Sequence, residues 1–187
     1  MNTFNHYHRK ILSQAFFAAV LFLGLISHVS ATGAAEEPHS VLIGNARFTV
    51  ITPECIRIEY SENARFIDAP SYFAANRDYS FSGFETTRQD GSLVIDTGRI
   101  RLEYTPDGER FNEGNLHASI RMGDSWTEWR PGMKNAGNLG GTIRTVDGVF
   151  GPVDLGEGFL SRDGWYLYDD STGHLMTDGW VRQRPGP

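Results

Sequence analysis

Arg99-Ile100-Arg101-Leu102-Glu103-Tyr104 sets an apolar or aromatic side chain at every second position and a charged one between. Period two is the pitch of a β-strand with one face in a core and the other in water. Cys55-Ile56-Arg57-Ile58-Glu59-Tyr60 repeats the pattern, and so does Leu116-His117-Ala118-Ser119-Ile120-Arg121-Met122. Val41–Ile51 carries β-formers around a Gly44-Asn45 turn or bulge, and weaker strands are expected over Tyr79–Thr87 and Leu93–Asp96, divided by Asp90-Gly91. Pro106-Asp107-Gly108 and Gly123-Asp124 punctuate the strands as turns. No window of the segment after residue 31 shows a helical stripe, so the expected class is all-β, sandwich or barrel. The stretch 131–158 differs: glycine is dense, alternation is sparse, and loops are expected there.

The chain has 187 residues, 40% hydrophobic and 12% aromatic. That is enough for one cored domain and too short for a typical (β/α)8 barrel of about 250 residues. With a formal net charge of -6, and Arg9-Lys10 as its longest basic run, it lacks the basic face of a nucleic-acid binder. Arg9-Lys10 stands before an apolar run, Ile11–Ile26, which ends near Val29-Ser30-Ala31. These are the parts of a secretory signal peptide, so residues 1–31 are expected to be removed after Ala31, with Ala35 as a second cleavage point. Residues 32–39 then form a linker and 40–187 the domain. The product is exported, periplasmic or secreted, with no membrane attachment after cleavage. The one cysteine, Cys55, excludes an intrachain disulfide and is expected to be buried or protected in an oxidising space.

Reactive constellations are scarce. His39, His117 and His174 lack the spacing of a metal helix, so neither a metal nor a cofactor is called for. Ser161 does not sit in a G-x-S-x-G elbow, and Gly140-Gly141-Thr142 lacks the lysine of a phosphate loop. Asp169-Asp170, if on a strand, would point to opposite faces and not form the facing pair of a retaining glycosidase; an Asx-type turn over Asp169–Gly173 is the simpler expectation. Trp126, Trp129, Trp165, Tyr166, Tyr168 and Trp180 carry ring faces suited either to a sugar or to a core.

Three groups of residues carry a resemblance. Asn138-Leu139-Gly140-Gly141-Thr142-Ile143-Arg144-Thr145-Val146-Asp147-Gly148 is similar to a segment of glycoside hydrolase family 31, the α-glucosidase family. So is Gly158-Phe159-Leu160-Ser161-Arg162-Asp163-Gly164-Trp165, followed by Asp169-Asp170-Ser171. Arg57–Ser61, Phe66–Ser71 and Asn76-Arg77 resemble the opening of that family, in the same order.

The resemblance implies an antiparallel β-sandwich of the galactose mutarotase type, the N-terminal domain that precedes a catalytic (β/α)8 barrel. In the family the two catalytic aspartates of a retaining mechanism belong to the barrel, so no catalytic residue is assigned here and the chain reads as a fragment. Its implied partners are that barrel, normally in the same chain, and an α-linked oligosaccharide. Arg162, Asp163 and Trp165 are the substrate-contact candidates: a guanidinium fork, a carboxylate and a ring. A packing role for the same three residues competes with this. Two other readings are a free-standing carbohydrate-binding module, with Trp126, Trp129 or Trp165 as its stacking platform, and a mutarotase-type enzyme using His117 or His174 with a carboxylate.

Overall fold

In the computed structural model, residues 39–141 and 147–184 are described; the expected signal peptide and its cleavage point lie outside them. The described residues are all-β, with no helix and three antiparallel sheets. Strands β1 (Ser40–Ile43), β2 (Ala46–Thr52) and β3 (Cys55–Tyr60) form the first sheet. The second is a meander of β4 (Glu85–Gln89), β5 (Ser92–Asp96), β6 (Ile100–Tyr104), β7 (Leu116–Met122) and β8 (Ser125–Trp129), hydrogen-bonded in chain order. The third is the short hairpin of β9 (Leu175–Thr177) and β10 (Trp180–Arg182).

The alternation does what its period requires. Phe48 and Val50 of the first sheet meet Leu93, Ile95, Leu102, Tyr104, Leu116 and Ala118 of the second in one apolar cluster between the sheets. Fully burying each large apolar side chain contributes about 1.5–3 kcal/mol. At the centre the Phe48 ring lies 5.4 Å from Tyr104 and 5.8 Å from Phe111. Hydrogen bonds tie the layers: Arg88 donates to the Leu42 carbonyl at 2.8 Å and the Thr97 hydroxyl to the Pro53 carbonyl at 2.6 Å. On the outer face of the first sheet, Arg47 donates to Glu59 at 2.8 Å, pairs with Asp68 at 2.6 Å and lies 4.6 Å from the Phe66 ring centroid, fastening the segment after β3.

Turn chemistry sets the registers. Asp90 and Gly91 both take positive φ, 52° and 81°, which is the two-residue type I′ geometry whose twist suits the Gln89↔Ser92 closure. The longer β6–β7 connection is organised by buried Asn115. Its amide donates to Asp107 Oδ1 at 2.9 Å and to the Arg110 carbonyl at 3.0 Å, while its carbonyl accepts the Asn112 N–H at 2.8 Å.

Three expectations need correction. Tyr79–Phe84 is not a strand: β4 begins at Glu85, and Phe81 and Phe84 pack on the core from an irregular segment broken by Ser80, Ser82 and Gly83. Cys55 is exposed, because it opens β3 beyond the bulge at Val50/Thr52, although partial burial of its thiol raises its pKa. Trp129 is buried and is a core ring rather than a stacking platform.

Candidate functional site

The described parts of the glycine-rich stretch, residues 131–141 and 147–158, are loop, as their composition implies, but tightly tied. Residues 135–141 run beside 156–165, and asparagine side chains supply much of the pairing that a regular ladder would otherwise provide. Asn138 donates to the Gly158 carbonyl at 2.9 Å and accepts the Gly158 N–H at 2.8 Å. Asn135 donates to the Trp165 carbonyl at 2.8 Å and accepts from the Ser161 hydroxyl. Backbone bonds complete the clasp: Leu139 N–H to the Leu160 carbonyl at 2.9 Å, Arg162 N–H to Gly137 at 2.9 Å and Gly141 N–H to Gly156 at 3.0 Å. Gly158 is required here, since a methyl group on it would overlap the Gly140 carbonyl oxygen.

The three sequence candidates fall within or beside this clasp and play different parts. Asp163 accepts the Gly137 N–H at 2.7 Å, so one carboxylate oxygen is committed to the loop itself. Trp165 is half-buried, edge-on to Trp129 at 6.4 Å, against the core. Arg162 is exposed, and its backbone N–H is tied to the Gly137 carbonyl. Trp129 and Trp165 also border a cleft of about 290 Å³ between the two larger sheets, lined mainly by Ile56, Ile58, Ile100 and Leu102. Glu54 and Tyr166 add polar groups to its border.

Several apolar side chains of the paired loops are open to solvent. Leu139, Leu155, Phe159 and Leu160 are all exposed, Leu160 at 70%. Next to them is an aromatic stack: Phe73 lies on Tyr168 with centroids 3.6 Å apart and planes 14° apart, and Phe159 is 6.1 Å from Phe73 and 5.0 Å from Tyr166. Phe73 comes from a segment held to β9 by a Ser71↔Leu175 bridge, a Tyr72 N–H bond to the His174 carbonyl at 2.9 Å and a Met176 N–H bond to Pro70 at 2.8 Å. Between them opens a hollow of about 410 Å³ lined by Tyr72, Phe73, Tyr168, Asp170, His174 and Val181.

Asp169 forms the expected Asx turn, accepting the Ser171 N–H at 2.9 Å, and its hydrogen bonds to Ser171 hold its carboxyl below the ordinary range. Asp170 is instead gripped by Arg184, whose Nη2 donates to its carbonyl at 2.7 Å and to Oδ2 at 3.2 Å. His117 lies away from the clasp on β7, its Nε2 3.9 Å from Glu103 on the neighbouring strand. Among the described residues no group of three or more His, Cys, Asp and Glu is placed to hold a metal ion.

Neither Asn135 and Asn138 nor Tyr72, Phe73 and Phe159 receive a role from the motifs above, although Asn138 and Phe159 stand in the quoted segments. The signal for the first two was Asn135-Ala136-Gly137-Asn138-Leu139-Gly140, alternating turn formers whose side chains mimic backbone. For the aromatics it was Tyr72-Phe73, adjacent rings in a segment without alternation.

No family model matches the chain. Over 102 residues, 53% of its length, it is 30% identical to a probable β-galactosidase C of Neosartorya fischeri. The chain spans about a tenth of the length of that curated relative. Part of this all-β chain is thus similar to a glycoside hydrolase.

Proposed function

We propose that this is the non-catalytic, galactose mutarotase-like sandwich of an exported glycoside hydrolase of family 31. In this reading it packs on a (β/α)8 barrel and borders the cleft that holds an α-linked oligosaccharide. The observation that carries the reading is the exposure of Leu139, Leu155, Phe159 and Leu160 on loops tied by the clasp's hydrogen bonds. Exposed apolar side chains on tied loops suit a permanent neighbour, because docking onto them orders little additional chain. The similarity to a β-galactosidase supports the carbohydrate class. The α-glucosidase type rests on the family resemblance of residues 138–148 and 158–165. Arg162, exposed beside the clasp, is the best placed of the three candidates to reach a sugar hydroxyl; Asp163 and Trp165 would serve by holding the loop that carries it.

The test is to read the genomic frame beyond the codon for Pro187. A continuing frame that encodes a barrel with two catalytic aspartates is the expected result. A stop codon with no barrel-encoding frame nearby would overturn the reading. If the barrel is there, hydrolysis of α-glucosides against β-galactosides by the whole enzyme decides between the resemblance and the relative's name.

A second reading, a free-standing carbohydrate-binding module, is favoured by Trp126 and Trp180, which are 51% and 80% exposed. Tryptophan fluorescence titrated with maltooligosaccharides tests it: quenching that disappears in Trp126→Ala and Trp180→Ala supports a platform, and an unchanged spectrum at millimolar sugar removes it.

A further inference from the structure

We infer that the hollow between the Ser71 segment and the β9 hairpin is a carbohydrate subsite that seats a single pyranose ring; this rests on the reading of the chain as a glycoside hydrolase domain. A pyranose presents an apolar C–H face ringed by hydroxyls, and it is recognised by aromatic planes bordered with hydrogen-bonding groups. The hollow has both. Tyr72 is 78% exposed, leaving its ring free, and the Tyr168 ring is fixed by its 3.6 Å stack on Phe73. The Tyr168 ring, held in this way, loses little freedom when a ligand lies against it.

The polar rim is equally set. Asp170 is held by the grip of Arg184, and the His174 backbone by the hydrogen bond from Tyr72 N–H to its carbonyl. The remaining Asp170 oxygen, Oδ1, is buried and has no hydrogen-bond donor among the described residues. At about 410 Å³ the volume falls within the range of about 300–1,000 Å³ of small-molecule sites.

The experiment titrates the full chain with glucose, galactose, maltose and lactose, using calorimetry and ring-proton shifts. Saturable millimolar binding is expected, weakened about tenfold or more in Tyr72→Ala and Tyr168→Ala and unchanged in Trp126→Ala. Tyr72 is exposed and leaves the fold intact, so it keeps the test valid if loss of Tyr168 disturbs the stack. Binding lost in Trp126→Ala but kept in both tyrosine variants would overturn the hollow while leaving a carbohydrate role in place. No binding of any of the four sugars would also overturn it, whereas the barrel-packing reading fails separately, on the genomic frame.

Discussion

Asp163 faces Gly137 across the paired loops: Oδ2 accepts the Gly137 N–H at 2.7 Å, and its other oxygen fills the space that a side chain on Gly137 would need. The aspartate is therefore both tie and template, since it bonds the one backbone group and admits only the one residue type. Asp163→Ala leaves that N–H without its partner and should cost about 1–3 kcal/mol, visible as a lower thermal midpoint. Arg162→Ala, at an exposed neighbour, should stay within about 0.5 kcal/mol of the parent. Equal losses from both would show that the clasp does not depend on the carboxylate.

Asn115 concentrates the bonds of the β6–β7 loop in one buried amide. Asn115→Leu keeps the bulk and removes the side chain's hydrogen bonds, so urea unfolding should show a loss of about 1–3 kcal/mol. A midpoint equal to the parent's would mean that water replaces those bonds.

Phe48 is fully buried and touches rings from β6 and from the following loop. Phe48→Ala should cost about 3–5 kcal/mol. Against a usual domain stability of about 5–15 kcal/mol, that change should bring unfolding close to growth temperature, as circular dichroism would show. Phe48→Leu should lose less than Phe48→Ala, and the reverse order would refute a cavity cost.

The Asp107 carboxyl is held below the usual carboxylate range, chiefly by the Asn115 side chain and then by the Glu109 N–H. Asp169 is lowered by Ser171. A depressed folded pKa adds stability above the unfolded value, about 3.9, and that stability fades as pH falls through the folded value. Denaturant titrations between neutral pH and about pH 2.5 should therefore show the parent losing ground to Asp107→Asn only below about pH 4. A constant difference across that window would rule out this linkage.

The sandwich was legible where alternation persists: Cys55–Tyr60, Ile100–Tyr104 and Leu116–Met122 each run far enough for period two to declare itself. The strands β9 and β10, three residues each, do not, although Asp178-Gly179 between them is a hairpin signal of the same kind as Asp90-Gly91. The site was less legible. Arg162, Asp163 and Trp165 were readable as a chemically rich segment, but their division of labour depends on Asn135 and Gly137, far along the chain. The stack of Phe73 on Tyr168 joins segments still farther apart, and no local pattern in either reports the other.

The five-stranded meander has a kinetic meaning. Each of its strands pairs with the one before it in the chain, so its hydrogen bonds close short loops and carry little of the entropy that long closures demand. The clasp and the Ser71↔Leu175 bridge close long ones. The meander, like the equally local β1–β3 sheet, should thus form before the clasp during refolding. Pulsed hydrogen exchange should protect the Ile95, Leu102 and Ala118 amides before those of Gly137, Leu139 and Met176. Simultaneous protection would mean that the domain assembles in a single cooperative step.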